Sequence, residues 1–254
     1  MRKTAVVLLA VFVICTALVA VGQDKSVDVG WVYSTVAKPG MTKQYEEGRK
    51  RHMEWHKKQN DTWTWEIWQV ETGEHVGTYL SATFGHSFPD LDTWEQKLGA
   101  ADTADGEINM APYTAGGDAS IWMVLKDSSR PPTDGHHPKL AQVNHYMLKP
   151  GKEADFEDVL HKINDAINKT NWPYHYNIYS LVDGGEQPHY VIVIYMNGWA
   201  DLAPPELPFG AMMEKAVGKH DADAISHTFD TCLQKEWSET IRFRPDLSYL
   251  PAMK

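Results

Sequence analysis

Apolar and aromatic residues recur along the chain in short stretches that are separated by turns containing glycine or proline. In the first half, strand-like stretches lie at 29–36, 62–71, 75–84 and 118–126, and stretches rich in helix formers lie at 41–59 and 90–101. The two middle strands would form a hairpin around Gly73. The predicted order is therefore strand, helix, strand, strand, helix, strand.

The second half of the chain repeats this order. Strands are predicted at 141–148, 174–182, 189–196 and 238–244, and helices at 153–168 and within a longer region from 206 to 235. A polar segment rich in proline and glycine, residues 128–138, separates the halves. The pattern predicts two units, at 23–127 and 139–254, joined by this linker.

A Lys-Pro-Gly turn occurs at 38–40 and again at 149–151, which is 111 residues later. When residues 32–91 are compared without gaps at this offset, twelve of sixty positions are identical. Composition alone would give about four identities. The sequence therefore predicts that one unit was duplicated.

The predicted order βαββαβ is that of a ferredoxin-like unit, an α+β architecture whose helices cover one face of an antiparallel sheet. The other face must also be buried, and two tandem units achieve this by packing sheet against sheet. On the order of elements over residues 28–245, the Lys-Pro-Gly turns and the hairpin residues Gly73 and Gly184, the chain resembles the dimeric α/β-barrel superfamily in a fused, two-copy form.

This resemblance implies an intramolecular dimeric α/β barrel. The superfamily includes cofactor-free monooxygenases, haem-dependent enzymes and proteins of unknown role, so the fold alone does not assign a function. If the chain is an enzyme, the resemblance implies monooxygenase-like oxidation of an aromatic or polyketide-like substrate. A cofactor is not identified, and the sequence contains no CxxCH motif for covalent haem attachment.

Residues 1–22 predict a secretory signal peptide, because Arg2 and Lys3 precede an apolar stretch that ends in small residues. An uncleaved N-terminal anchor is the alternative. The predicted location is periplasmic or secreted, without a membrane anchor after cleavage. The formal charge of −10 becomes −12 when those two cations are removed. Such an acidic chain argues against a nucleic-acid partner. The oligomeric state is open.

The first helices of the two halves differ in the stripe that should face the sheet. In the second half, the stripe is an ordinary apolar helix face formed by Phe156, Val159, Leu160, Ile163 and Ile167. At the 111-residue offset, the corresponding residues are Tyr45, Gly48, Arg49, His52 and His56. Burial of these polar groups without partners would be costly. The difference predicts a ligand cavity beside the first helix, and none beside Ile163 and Ile167.

Within this cavity, we expect His52 and His56 to transfer protons or anchor a ligand, since histidine titrates near neutral pH. Arg49 would bind an anionic group, and Tyr45 and Gly48 would shape the cavity. Trp65, Trp68 and Glu66 would contribute a wall from the next strand. In one alternative interpretation, the helix is rotated slightly and the histidines lie at its rim, satisfied by their neighbours. A separate alternative is a non-catalytic exported structural or binding protein without an active site.

His52 and His56 are four residues apart, so both lie on one face of the helix and could bind a metal ion with a third ligand. The nearest candidates by element are Glu66, Glu71 and His86. None of them is identifiable as a ligand from its spacing, so no metal site is predicted. Three other features favour ordinary structural roles: His145 in a strand, His220, Asp223 and His227 on a late helix, and the single remaining Cys232.

Overall fold

The structure is a computed structural model that describes residues 27–133 and 138–251. The predicted signal peptide lies outside these residues. The first half contains β1 (Val29–Ala37), α1 (Thr42–Lys58), β2 (Glu66–Val70), β3 (Tyr79–His86), α2 (Phe88–Trp94), a π-helical turn (Glu95–Gly99), α3 (Ala100–Asn109) and β4 (Thr114–Val124). The second half contains β5 (Leu140–Leu148), α4 (Glu153–Thr170), β6 (Tyr176–Asp183), β7 (His189–Met196), α5 (Phe209–Val217), α6 (Lys219–Cys232) and β8 (Leu233–Phe243). Within the described ranges, no helix combines the length and apolar character needed to cross a membrane.

The eight strands form one closed, antiparallel barrel in the order β1-β3-β2-β8-β5-β7-β6-β4. The halves join edge to edge at two places, where β2 pairs with β8 and β4 pairs with β6. Closure pairs the backbone groups that an open sheet would leave exposed at its edges. The mixed α+β class and the barrel agree with the prediction. The halves meet through paired edges as well as through the sheet faces that line the barrel interior.

The element bounds also follow the predicted offset. β5 and α4 each begin 111 residues after β1 and α1, respectively. β8 begins 119 residues after β4, because the helical region before it is longer in the second half. The first strand and first helix of the two halves therefore keep the spacing of the two Lys-Pro-Gly turns.

Side chains alternate across each strand, so every strand contributes to two apolar layers. The barrel interior is filled by a cluster that includes Trp68, Val143, Tyr179, Val191 and Phe243. The outer face of the second half packs under α4, α5 and α6. The outer face of the first half packs under α1, α2 and α3, and it is rich in tryptophan.

Several predicted boundaries in the first half were wrong, and those of the second strand and the second helix bear on the site. β2 begins at Glu66 rather than 62, because Asp61 side-chain oxygens bind the backbone N–H of Trp63 and the indole N–H of Trp65. These hydrogen bonds hold the preceding segment outside the regular ladder. The second helical region runs from 88 to 109 instead of 90 to 101, and it continues through the π-helical turn into α3.

Candidate functional site

The predicted polar stripe of α1 is buried. Its buried residues are Tyr45, Gly48, Arg49, His52, Met53 and His56. The exposed fraction is 7% for His52 and 1% for His56. The histidines therefore do not lie at the rim, and that part of the rotated-helix interpretation was wrong. Two imidazoles and a guanidinium beneath the helix therefore need hydrogen-bond partners inside the protein.

A cavity of about 440 Å³ lies between α1, α3 and the outer face of the sheet. Its lining includes Tyr33, Arg49, His52, His56, Trp65 and Asp102. The volume falls within the range of about 300–1,000 Å³ that is usual for small-molecule sites. The polar stripe thus borders a space that a ligand can enter.

The imidazoles of His52 and His56 are each fixed by a carboxylate at Nδ1. His52 Nδ1 lies 2.7 Å from Asp105 Oδ2, and His56 Nδ1 lies 2.9 Å from Asp61 Oδ2. The Nε2 atoms of both rings lie 3.3 Å from one oxygen, Oδ1 of Asp102. A carboxylate at Nδ1 favours the tautomer that has its proton there, and this leaves the Nε2 lone pairs directed at Asp102.

Asp61 anchors the inner end of this cluster. Besides its contact with His56, it accepts hydrogen bonds from the indole N–H groups of Trp65 and Trp94 and from the backbone N–H of Trp63. Burial opposes ionisation of Asp61, but the hydrogen bonds from His56, Trp63 and Trp65 outweigh it and lower the pKa of this carboxyl. The indoles of Trp65, just before β2, and Trp94, at the end of α2, thus hold the carboxylate that orients His56.

Asp102 and Asp105 come from α3, and the sequence interpretation missed both. They are three residues apart and so share one helix face. The predicted helix stopped at 101, which left both residues in an unassigned segment. A π-helical turn, a feature often found at functional sites, precedes them. The i, i+3 spacing of these acids, beside the i, i+4 spacing of the histidines, was the available signal.

The three third-ligand candidates named from the sequence lie elsewhere. Glu66 is on the inward face of β2, where it accepts a hydrogen bond from Trp68 Nε1 at 3.1 Å. Glu71 pairs with Arg242 at 2.7 Å. His86 stacks on Trp63 and contacts Thr83 Oγ1 at 2.7 Å. The third group beside the histidines is Asp102 instead.

Arg49 is only 4% exposed, and it borders the cavity. Its Nη2 donates to the hydroxyl of Tyr45 at 2.7 Å, and Tyr45 in turn contacts Thr35. Its Nε is buried without a hydrogen-bond partner, and within the described residues Arg49 forms no ion pair. The guanidinium is therefore oriented by neutral groups and lacks a compensating anion.

Tyr33 lies on the opposite wall of the cavity. Burial, together with the nearby charges of Asp102 and Glu95, raises the pKa of its phenol to about 12. The hydroxyl therefore stays protonated at neutral pH and can donate a hydrogen bond. The ring centroids of Trp65 and Tyr33 are 6.2 Å apart, and the two side chains form an aromatic wall.

Four of the predicted ligand-binding residues have other positions or roles. Trp68 and Glu66 were wrong as cavity walls, because they point into the barrel, opposite to Trp65. Gly48 does not open space for a ligand. A Cβ at this position would collide with the carbonyl oxygen of Asn109, so glycine here allows α3 to approach α1. Tyr45 is fully buried and acts through its hydrogen bond to Arg49.

A second cavity, of about 500 Å³, lies at the equivalent place in the second half. Its lining includes Leu160, Ile163 and Ile167, which correspond to Arg49, His52 and His56 at the 111-residue offset. The expectation that no cavity lies beside Ile163 and Ile167 was therefore wrong. Both halves keep a cavity under the first helix, and they differ in the polarity of its lining.

The other sequence candidates have structural surroundings. His145 lies in β5, where Nδ1 is 3.1 Å from His189 Nε2 and the ring stacks on Trp237. His220, Asp223 and His227 are exposed on α6. Cys232 is buried, and burial raises the pKa of its thiol, which opposes a nucleophilic role.

No protein-family model matches the chain, and no curated protein matches it. Solved structures share the fold at low identity. A candidate monooxygenase from Lactobacillus acidophilus has 10% identity and a TM-score of 0.53, with 87% of this chain and 95% of that chain covered. A candidate monooxygenase from Fusobacterium nucleatum has 10% identity and a TM-score of 0.55, covering 85% and 92%. A mutant chlorite dismutase from Candidatus Nitrospira defluvii has 8% identity and a TM-score of 0.52, covering 86% and 92%. The chain thus shares its fold with these proteins.

Proposed function

We propose that the protein binds an anionic or acidic small molecule in the cavity beneath α1, with Arg49 as the anion-binding group. The observation that carries this proposal is the buried guanidinium of Arg49, whose Nε has no acceptor and which forms no ion pair within residues 27–133 and 138–251. A buried, unpaired charge is costly, by several kcal/mol. A carboxylate or phenolate of a ligand would supply the missing acceptor and the opposite charge.

The rest of the cavity suits a small ring-containing ligand. Trp65 and Tyr33 supply flat apolar surface, and the protonated phenol of Tyr33 supplies a donor. His52 and His56 present their Nε2 atoms to the same space beside Asp102. These histidines would act on the acidic group of the ligand, either by accepting its proton or by holding an ion that binds it.

As an enzyme, the protein would carry out monooxygenase-like oxidation of such a ligand. The support is the fold shared with candidate monooxygenases together with a polar, proton-binding cluster in a cavity. In this reaction, a CH₂ group beside a carbonyl group loses a proton to the cluster of His52, His56 and Asp102 and reacts with O₂. One oxygen atom enters the product as a new carbonyl, and the other leaves as water. The second candidate is a ligand-binding protein without turnover.

Two further proposals concern how the barrel arose and where in or outside the cell the protein is located. We infer that the barrel consists of two duplicated, tandem ferredoxin-like units, since the 111-residue spacings from β1 to β5 and from α1 to α4 and the matching cavity linings support this. Export is inferred from the charged start and apolar stretch of residues 1–22.

The test is ligand binding, read from the tryptophan fluorescence of the cavity wall. A panel of aromatic carboxylates and phenols is titrated into the wild type, Arg49→Met and Arg51→Met, where Arg51 is an exposed arginine of the same helix. We expect at least one acid to bind the wild type and Arg51→Met, and to bind Arg49→Met at least tenfold more weakly. Equal binding by all three proteins would contradict the role of Arg49, and failure of the whole panel would count against an acidic aromatic ligand. Oxygen consumption with each bound ligand separates an enzyme from a ligand-binding protein.

A further inference from the structure

We propose that His52, His56 and Asp102 bind a divalent transition-metal ion through His52 Nε2, His56 Nε2 and a carboxylate oxygen of Asp102. The proposal deepens the proposed function and rests on it for the ligand that the ion would contact, but metal binding itself can be measured without that ligand. Its basis is a cluster of one ligand atom from each residue, all within 4.8 Å of one another.

The distances fit a common ion. Each Nε2 lies 3.3 Å from Asp102 Oδ1. Metal bonds of about 2.0–2.2 Å at tetrahedral or octahedral angles separate neighbouring ligand atoms by roughly 2.8–3.6 Å. Each imidazole nitrogen therefore already lies at a ligand-like distance from the carboxylate oxygen, and the three ligand atoms lie within 4.8 Å of one another.

The surrounding carboxylates give the histidines the form that a metal requires. Asp105 and Asp61 contact the Nδ1 atoms of His52 and His56. Metal-binding histidines commonly donate the other ring N–H to a carboxylate, which fixes the tautomer and makes the ligand nitrogen more basic. Both Nε2 atoms would thus present lone pairs to the same point.

Asp102 Oδ1 is the least satisfied atom of the cluster. It is buried and accepts no hydrogen bond from any described residue, although two Nε2 atoms lie beside it. In the tautomers set by Asp105 and Asp61, both neighbours are acceptors as well. A cation between the three atoms removes this repulsion. The competing arrangement needs protonated imidazoles whose centroids are only 4.8 Å apart.

Three protein ligands leave coordination positions open, as in catalytic rather than structural metal sites. The cavity lies on the open side, and Arg49 borders it. Two imidazoles and one carboxylate, without thiolate, suit Zn²⁺, Fe²⁺, Co²⁺ or Mn²⁺. An acidic ligand could then bind the ion with one oxygen while Arg49 binds another.

The experiment uses the full mature chain, freed of metal with a chelator and titrated with Co²⁺, whose visible absorption reports its coordination. Zn²⁺ competition then gives the affinity. We expect one ion per chain and quenching of the fluorescence of Trp55, which stacks on His52. His52→Ala, His56→Ala and the nearly isosteric Asp102→Asn should each weaken binding by at least about 100-fold. The matched controls His220→Ala and Asp223→Asn, both exposed on α6, should bind as the wild type does.

The proposal is overturned if the folded wild type gives no Co²⁺ spectrum, or if Asp102→Asn and Asp223→Asn bind equally well. Circular dichroism of each variant shows that it is folded, and the wild-type titration decides the matter even if a histidine variant does not fold. If the wild type binds acids through Arg49 but binds no metal ion, the metal site is overturned and the proposed function stands. Metal binding without any acid binding would overturn the proposed ligand alone.

Discussion

Asp61 and His56 form a buried pair in which the carboxylate Oδ2 lies 2.9 Å from the imidazole Nδ1, and both side chains are almost fully inaccessible to solvent. The same carboxylate is held by the indoles of Trp65 and Trp94. One residue therefore ties the tryptophan-rich wall to the histidine that faces the cavity. The stability of the first half and the orientation of His56 depend on the same group.

Substitution of Asp61 should be among the most destabilising changes in the chain. Asp61→Ala leaves three buried donors without an acceptor, and we expect a loss of about 3–5 kcal/mol in the free energy of unfolding. Asp61→Asn keeps the shape and part of the bonding, so it should cost less while disturbing the tautomer of His56. Urea denaturation measures both. A loss below about 1 kcal/mol for Asp61→Ala would show that the network has little energetic weight.

Gly48 should be required for the contact of α1 with α3. Gly48→Ala places a methyl group against the carbonyl oxygen of Asn109, and overpacking of this kind costs about 1–3 kcal/mol. Gly106→Ala in α3 is the matched control, because a Cβ there meets nothing within 4 Å. Its helix propensity should stabilise the protein by up to about 1 kcal/mol. In thermal or urea unfolding, Gly48→Ala should therefore lower the stability and Gly106→Ala should raise it. Destabilisation by both substitutions would contradict the assigned role of Gly48.

Acid should weaken the contact between the C-terminal segment and α1. Arg244 Nη1 donates to Glu46 Oε1 at 2.7 Å, and its Nε and Nη2 bind Asp246. The hydrogen bond from Arg244 is the largest cause that lowers the pKa of Glu46, and likewise that of Asp246. Because both folded-state pKa values are lowered, this stability is present above the unfolded values of about 4 and is lost as the pH falls through the folded values.

Arg244→Met should remove the hydrogen bonds that lower the pKa values of Glu46 and Asp246, so the stability of the variant should depend less on pH in the acid range. The free energy of unfolding, measured from neutral pH down to about pH 3, should fall more steeply for the wild type than for the variant. The exposed pair of Lys162 and Asp158 provides the control. Lys162→Met should leave the change of the unfolding free energy with pH as it is in the wild type. Parallel curves for the wild type and Arg244→Met would contradict the assignment.

Much of the fold was predictable because it is encoded in local periodicity. The bounds of β1, α4 and β7 follow directly from alternation or helical spacing. The offset between the halves also predicted Arg49, His52 and His56 as cavity residues, and all three line one cavity. A departure of one copy from an apolar stripe is visible in the sequence itself.

The partners of those residues were less predictable, because they depend on tertiary placement. Asp102 belongs to a helix whose length and π-helical turn were not apparent from propensity. Asp61 lies one residue before the predicted strand, and its placement beside His56 depends on the hydrogen bonds of that segment. The inward or outward direction of Trp68 depends on the register of β2 in the closed barrel. The apolar cavity of the second half could not be predicted, since an apolar stripe has the same pattern whether or not it is tightly packed.

The most direct test of the central claim is a crystal structure of the protein after incubation with Zn²⁺, with diffraction recorded on both sides of the zinc absorption edge. The account predicts one strong anomalous peak beneath α1, at about 2.0–2.2 Å from His52 Nε2, His56 Nε2 and a carboxylate oxygen of Asp102. It also predicts density for a small anion or water on the open side toward Arg49. A structure in which the two imidazoles bind Asp102 directly, with zinc only at surface residues such as His220, would contradict it.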